Sequence, residues 1–369
     1  MKKALIISTV SRQFYLFEKV NIDVLRKLGY EVHGAANFAD RSERLKEIDI
    51  IEHELCFSRN PFSFSNIKAF VKLLSLLREN NFELIHAHSP VGGVYGRIAA
   101  KLSGVPKVFY TAHGFHFYKG APIFNWMLFY PLEKLLSRLT DTLITINKED
   151  FEIANKNFFM RNLELVDGIG INYKKFHPET PEIKMKLRDK FKLDRDSQIL
   201  IYVGELSHRK NQQVLLEAML NMQEKNQQIK LLLVGKGNLK EEYEKFIFEN
   251  NLSKSVYLLG FRDDIPQLMQ IADIAISSSK QEGLPVNLME AMGTGLPLIV
   301  SNCRGNRDLL KDNGIVIKDN TSIQWSDAII ELFNSPNRLN EYGLRSLELS
   351  KRFSEEKIRV KMTTIYSVL

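Results

Sequence analysis

Residues 281–301 read QEGLPVNLMEAMGTGLPLIVS, and the punctuation of this stretch decides the fold. Gly283 and Pro285 close a loop that follows a short apolar run at residues 273–276. Proline lacks an N–H and has a preset φ, so Pro285 suits the first position of a helix. That helix is expected over residues 286–292, ended by Gly293 and Gly295, with residues 297–300 as the next buried strand. A helix start exposes unpaired N–H groups carrying about half a positive charge, which suits phosphate oxygens. Glu282 and Glu290 flank it. A phosphate repels a carboxylate, so these two are better matched to sugar hydroxyls, and such charge-assisted hydrogen bonds contribute about 1.5–3 kcal/mol each. Phosphate donors between two hydroxyl acceptors describe a nucleotide sugar. The plainer alternative makes Glu282 a solvated loop residue and Glu290 a surface helix residue.

Outward from this stretch, short apolar runs alternate with longer segments of helical period. One series lies at residues 4–7, 84–87, 108–110 and 143–146, a second at 199–203, 230–234, 256–259, 274–276 and 298–300. This is the rhythm of βαβ units in a parallel sheet covered on both faces. The expected fold class is α/β, with two doubly wound, Rossmann-like domains. Residues 166–180, VDGIGINYKKFHPET, are rich in Gly, Pro and polar side chains and read as the connection. The domains are placed at residues 1–172 and 173–353, with the last helical segment, 354–369, free to pack back on the first. Ligands of open parallel sheets bind beyond the carboxyl ends of the strands, so a cleft between two such domains is the expected site.

A length of 369 residues agrees with two cores. With 44% hydrophobic and 26% charged residues the chain has a globular composition, which excludes a disordered polymer. The net charge of +7 permits an anionic partner, whether phosphorylated ligand, acidic lipid surface or nucleic acid. No nucleic-acid motif or aromatic-basic platform accompanies it, so no nucleic-acid partner is expected. Lys2 and Lys3 before the run 4–10 resemble the start of a secretion signal, but no small-residue cleavage site follows, and a first buried strand is the better reading. No run reaches the roughly 18 apolar residues of a spanning helix. Cys56 and Cys303 make no disulfide framework, and a reducing cytoplasm is the simplest setting.

Several residues carry chemical potential. Ile67, Phe70, Val71, Leu74 and Leu77 form one helical stripe, and residues 121–139 are unusually apolar and aromatic; core packing is expected of both, lipid contact being the alternative. His86 and His88 share one side of a strand, a conceivable metal pair, but no acidic residue stands at matching spacing and no metal is expected. His113 follows another strand end, where it can donate to a ligand oxygen or bond to nearby backbone. Arg209 and Lys210 lie in a strand-to-helix turn after Gly204, suited to a diphosphate or to solvent. Asp194-Arg195-Asp196 matches a metal-binding D-x-D pattern but precedes a strand, at the wrong edge of a sheet, and reads as a solvated turn.

With these residues in view the sequence resembles the retaining glycosyltransferases of family 4, of GT-B fold, and within them the bacterial members that build capsular and exopolysaccharide units. The resemblance rests on residues 85–93 (IHAHSPVGG), 110–117 (YTAHGFHF), Val203-Gly204-Glu205-Leu206 with Arg209-Lys210-Asn211, and Glu282 with Glu290 at the E-x7-E spacing. It implies that Glu290 holds the donor ribose, that Glu282 contacts the donor sugar, and that Gly283, Leu284, Pro285 and Val286 face the sugar and diphosphate. It further implies that Lys210 neutralises the leaving diphosphate, that His113 lies near the transferred sugar, and that Phe261 and Arg262 hold the base. Thr9 becomes a diphosphate neighbour, and Arg209 supplies the charge that the family carries where this chain has Glu205. The implied donor is a UDP-sugar, with no metal or other cofactor. The implied acceptor is a lipid-diphosphate-linked saccharide, with peripheral contact at the inner face of an anionic membrane. Three alternatives stay open: a GT-B sugar-nucleotide epimerase, a non-catalytic basic protein of the membrane surface, and a metallohydrolase using His86 and His88.

Overall fold

The computed structural model describes every residue except 40, 59, 61, 62, 224–227, 368 and 369. The chain divides into two compact units, Met1–Gly170 with Glu355–Leu369, and Ile171–Ser354. The final two residues of the last expected segment lie outside the described residues.

In the first unit the four apolar runs become β1 (Lys2–Val10), β4 (Leu84–His88), β5 (Lys107–Ala112) and β6 (Thr142–Thr145), and three strands not read from the sequence join them, β2 (Tyr30–Asn37), β3 (Ile51–Glu54) and β7 (Asn162–Leu165). They form one seven-stranded parallel sheet in the order β3-β2-β1-β4-β5-β6-β7. Alternation along β1 sends Leu5 and Ile7 into one core with Leu73, Val91 and Ala99, and Ala4 and Ile6 into another with Val24, Ile358 and Met362. Both faces are therefore covered, which is why these runs read as continuously apolar. The helix Pro90–Leu102 follows β4 directly, capped by Ser89, whose hydroxyl accepts from the Gly92 N–H. Gly93 lets it lie on β5, since a Cβ there would come within 2.4 Å of the Tyr110 ring. The helix Glu355–Ser367 contributes Ile358, Met362, Ile365 and Tyr366 to this unit's core.

In the second unit β8 (Gln198–Val203), β9 (Ile229–Val234), β10 (Val256–Gly260), β11 (Ile274–Ser277), β12 (Leu298–Ser301) and β13 (Gly314–Ile317) form a six-stranded parallel sheet in the order β10-β9-β8-β11-β12-β13. Both sheets thus reverse direction at one place, between β1 and β4 in the first and between β8 and β11 in the second. Ligands of doubly wound sheets bind at such switch points.

Three local expectations need correction. The helix Ser65–Glu79 buries Asn66, Ala69, Leu73 and Leu77, while Ile67 and Val71 face solvent; the apolar stripe read from the sequence is rotated from the buried face. In the helix Ile123–Leu136, Trp126, Phe129 and Tyr130 pack on the core, but Ile123, Phe124 and Met127 are exposed. Pro285 is the N-cap rather than the first helical residue of Val286–Gly293, a one-residue shift of the boundary. The Asp194–Asp196 turn precedes β8, where Arg195 pairs with Asp189 on the surface.

Candidate active site

The second unit's switch point holds a lattice of paired charges. β8 ends at Val203, and Gly204 leads the turn that carries Arg209 and Lys210. The lysine stem packs over Gly204, 3.5 Å from where its Cβ would stand. Lys210 is buried and donates to Glu282 Oε1 at 2.5 Å, and the Ser279 hydroxyl donates to the same oxygen at 2.6 Å. Arg209, half exposed, donates to Glu282 Oε2 at 3.4 Å and to the Gln281 carbonyl at 3.2 Å. The loop is fixed from beneath. Tyr202 and Ser278 donate to the Lys210 carbonyl, each at 3.0 Å, and Ser301 donates to the Ser279 carbonyl. Arg304 donates to the Glu282 carbonyl. Gly305 adopts φ +77°, and a Cβ there would fall 2.4 Å from the Gly283 carbonyl oxygen, so the loop before Leu284 and Pro285 needs glycine opposite it.

Glu290 behaves differently. It is half-buried on the helix Val286–Gly293, and among the described residues its carboxyl has no hydrogen-bond partner. Burial pushes it up to about 8, against the opposing pull of Lys175. A carboxylate has about four acceptor positions; Glu282 has three occupied, leaving one on Oε2, whereas Glu290 has all of its own available. Leu284 is buried, and Gly283 and Val286 are partly exposed beside it. Phe261 is exposed past the end of β10 with Lys236 over its ring, and Arg262 is committed to Asp264.

The first unit's switch point holds a neutral polar cluster instead. Glu18, the N-cap of the helix Lys19–Lys27, is fully buried with His86 and His88 at the end of β4, and partly buried His113 follows β5. Gln13 donates to Glu18 Oε1 at 2.8 Å, and Asn21 donates to Oε2 at 2.6 Å. Oε2 also lies 3.1 Å from His88 Nε2. His88 Nδ1 meets His113 Nε2 at 3.1 Å, and the Gln13 amide nitrogen approaches the same His113 Nε2 at 3.3 Å. His86 is tied off by Tyr366 at 2.6 Å and Thr111 at 2.7 Å. Burial holds all three imidazoles down, His86 to about 3 and His113 to about 4, and pushes Glu18 up to about 7. Beside them is a space of about 20 Å³ lined by Glu18, His88, His113, Ile358 and Met362, room for roughly one water.

Ligand atoms of Glu18, His88 and His113 lie within 4.8 Å of one another. The pairing His86–His88 suggested by the sequence is not the group that gathers here, since His86 is occupied elsewhere. Both Glu18 oxygens already accept from amides, and the two imidazoles face one another at hydrogen-bonding distance; the arrangement is that of a hydrogen-bonded chain. Glu18 escaped the sequence reading because nothing in Phe17-Glu18-Lys19 marks it, and only the fold carries it to His88. Thr9 sits within β1, buried, and not in a loop beyond it.

Comparison with known proteins settles the family. The model of the glycosyl transferases group 1 matches residues 184–355, and that of the glycosyl transferase 4-like group matches residues 3–147. A putative glycosyltransferase, EpsD, of Bacillus subtilis is 36% identical over 99% of this chain and 96% of its own length. The chain belongs to the family 4 glycosyltransferases. Its fold is GT-B: the crystal structure of Anabaena HepE with UDP and glucose superposes at a TM-score of 0.82, with 20% identity and full coverage of both chains. The Escherichia coli UDP-Gal:alpha-D-GlcNAc-diphosphoundecaprenol alpha-1,3-galactosyltransferase is 33% identical over 74% of this glycosyltransferase and 72% of its own length.

Proposed function

We propose that this glycosyltransferase moves a sugar, with retention of configuration, from a UDP-sugar to a lipid-diphosphate-linked saccharide in surface polysaccharide synthesis. The observation that carries the reading is the contrast within the second unit between Glu282, bound to two cations, and Glu290, without a partner eight residues on. Glu290 takes the ribose hydroxyls, the last acceptor position of Glu282 takes a sugar hydroxyl, and the N–H groups of Val286 and its neighbours face the diphosphate. Phe261 and Arg262 border the base.

As the bond from the anomeric carbon to the diphosphate breaks, the bond to the acceptor oxygen forms on the same face, and the acceptor proton passes to the departing diphosphate. Arg209 and Lys210 meet the growing negative charge. Glu282 holds both in place beforehand, so little reorganisation is needed during the reaction. These fixed cations do the work a metal would do, and no metal or other cofactor is assigned. The first unit serves the acceptor, with His113 near the transferred sugar.

The donor assignment is supported by the UDP-galactose of the Escherichia coli relative and the UDP bound to HepE, and the acceptor by that relative's diphosphoundecaprenol substrate. Exposed Ile123, Phe124 and Met127 on the first unit, with a net charge of +7, support peripheral contact with the inner face of an anionic membrane. Among the described residues no helix is long and apolar enough to cross one. A ligand that binds the folded state raises thermal stability by mass action. UDP-sugars should therefore raise the melting temperature where GDP- and ADP-sugars do not, and Glu290→Ala should abolish the shift. A folded sample that neither shifts nor turns over with any of them would sink the reading.

A further inference from the structure

We infer that Glu18 and His88 are positioning residues that set which nitrogen of His113 carries its proton, through one chain of hydrogen bonds with a reversible direction. The inference rests on the proposed role of His113, but the chain itself is a matter of geometry.

Two neutral imidazoles whose nitrogens stand 3.1 Å apart need one proton between them, so one of His88 Nδ1 and His113 Nε2 donates and the other accepts. The Gln13 amide nitrogen also points its hydrogen at His113 Nε2, and that amide is oriented by its shorter bond to Glu18. A nitrogen approached by an N–H is an acceptor. His113 Nε2 is therefore bare, His88 donates from Nδ1, and His88 Nε2 is bare as well. The remaining contact agrees: Glu18 Oε2 is 3.1 Å from His88 Nε2, and that buried nitrogen has no other partner among the described residues. A bare nitrogen facing a carboxylate oxygen at that distance sets lone pair against lone pair, which a proton on the carboxyl relieves. The contact fits a protonated carboxyl donating to the imidazole, and burial of Glu18 favours that form. The direction of donation is then Glu18 to His88 to His113, which leaves His113 protonated on Nδ1. That nitrogen has no hydrogen-bond partner among the described residues, and His113 is partly exposed, so a donor is presented to a ligand oxygen.

Loss of the Glu18 proton reverses the chain. The carboxylate accepts from His88 Nε2, His88 Nδ1 accepts from His113 Nε2, the Gln13 amide must turn away, and His113 Nδ1 becomes a bare acceptor. The same site then requires its ligand oxygen to donate, so a hydroxyl must turn its hydrogen to His113 and an oxygen without a hydrogen is repelled. The titratable groups packed around Glu18 are His88 and His86 of β4, His113 after β5, and Tyr366 of the helix Glu355–Ser367. Among the described residues no lysine or arginine is paired with Glu18, so burial raises it against the opposing hydrogen bonds from the Asn21 and Gln13 amides.

The test is the histidine side-chain ¹⁵N spectrum of the full chain between pH 5 and 9, His113 being assigned by its loss in His113→Gln. The wild type should show His113 protonated on Nδ1 at low pH, passing to Nε2 with a midpoint near pH 7. Glu18→Gln keeps a donor toward His88 at every pH, so it should hold the Nδ1 form throughout; His88→Phe should uncouple His113 from that transition. In turnover, the wild type should lose activity through the same midpoint and Glu18→Gln should not. A tautomer that does not change across pH 7, a Glu18→Gln variant that titrates like the wild type, or a stoichiometric transition metal in the purified protein would overturn the inference. Absence of nucleotide-sugar turnover with the tautomer transition intact would instead strike the proposed function and leave the chain standing.

Discussion

The two switch points have the same topology and opposite electrostatics. In each sheet a strand ends where the order reverses, between β1 and β4 or between β8 and β11, and polar side chains collect there. In the second unit Lys210 and Arg209 share Glu282 as paired charges, and in that site only Glu290 stands without a hydrogen-bond partner among the described residues. In the first unit Glu18 and the histidines are as deeply buried but have no counter-ion, and the cluster is neutral by proton placement. Burying a charge is costly unless it is paired, and a titratable group without a partner gives up its charge instead. Topology provides a place for a site; the available partners decide whether it works by charge or by direction of hydrogen bonds.

The largest effect should come from breaking a pair in the charged site. Lys210→Met leaves Glu282 buried with only Arg209 and Ser279. Removing one partner of a buried pair typically costs about 3–5 kcal/mol. Because two donors remain, a loss of about 3 kcal/mol in denaturant unfolding is expected, and turnover should fall about 10²- to 10³-fold with the loss of a cation facing the diphosphate. The neutral site should respond in the opposite way: Glu18→Gln replaces a protonated carboxyl by its neutral isostere, the Asn21 amide turning over so that its oxygen accepts from the new NH₂, and the unfolding midpoint at pH 6 should barely move. Equal destabilisation by the two variants would erase the distinction between the sites.

The same contrast explains what was legible in the sequence. Glu282 and Glu290 lie within one short stretch, and Arg209 with Lys210 within one turn, so the charged site is written in local spacing. The neutral site draws on positions 13, 18, 88, 113 and 366, which only the strand order brings together. The βαβ rhythm was readable because buried parallel strands are apolar along their whole length. Helix faces were less so: Ile67 and Val71 share a stripe with core residues, yet the helix presents them to solvent, and periodicity does not say which edge of a wide apolar stripe is covered. That Lys210 and Arg209 are already held by Glu282 was invisible, because the turn and the loop are 72 and 73 positions apart.

A smaller effect should follow from the neutral cluster's support. Tyr366 lies on the helix Glu355–Ser367 and bonds to His86 Nδ1, while the His86 ring lies 4.1 Å from that of His88. Tyr366→Phe keeps the ring and removes the hydroxyl, leaving a buried imidazole nitrogen unsatisfied. The cost of one such orphan is about 1–3 kcal/mol. Thermal unfolding should report it as a lower midpoint without loss of UDP binding, since the hydroxyl touches nothing in the second unit's site. Weaker nucleotide binding in this variant would mean that the two chemistries are not separate.

The smallest expected effect sharpens the boundary between charge and neutrality, because Glu290 belongs to the charged site and yet lacks a counter-ion at hydrogen-bonding distance. With its carboxyl raised to about 8, the free protein carries it protonated at neutral pH. Ribose hydroxyls donate most strongly to the ionised form, so binding should expel the proton. The sign follows: above pH 8 the carboxylate is already present and affinity is flat, and below it affinity weakens as pH falls, by at most tenfold, or about 1.4 kcal/mol, per pH unit. Titration calorimetry with UDP in buffers of different ionisation enthalpy should show close to one proton released at pH 7, and none in Glu290→Gln. Proton uptake, or an affinity that rises toward acid, would mean that the ligand meets a neutral carboxyl, and that Glu290 resembles Glu18 more than it resembles Glu282.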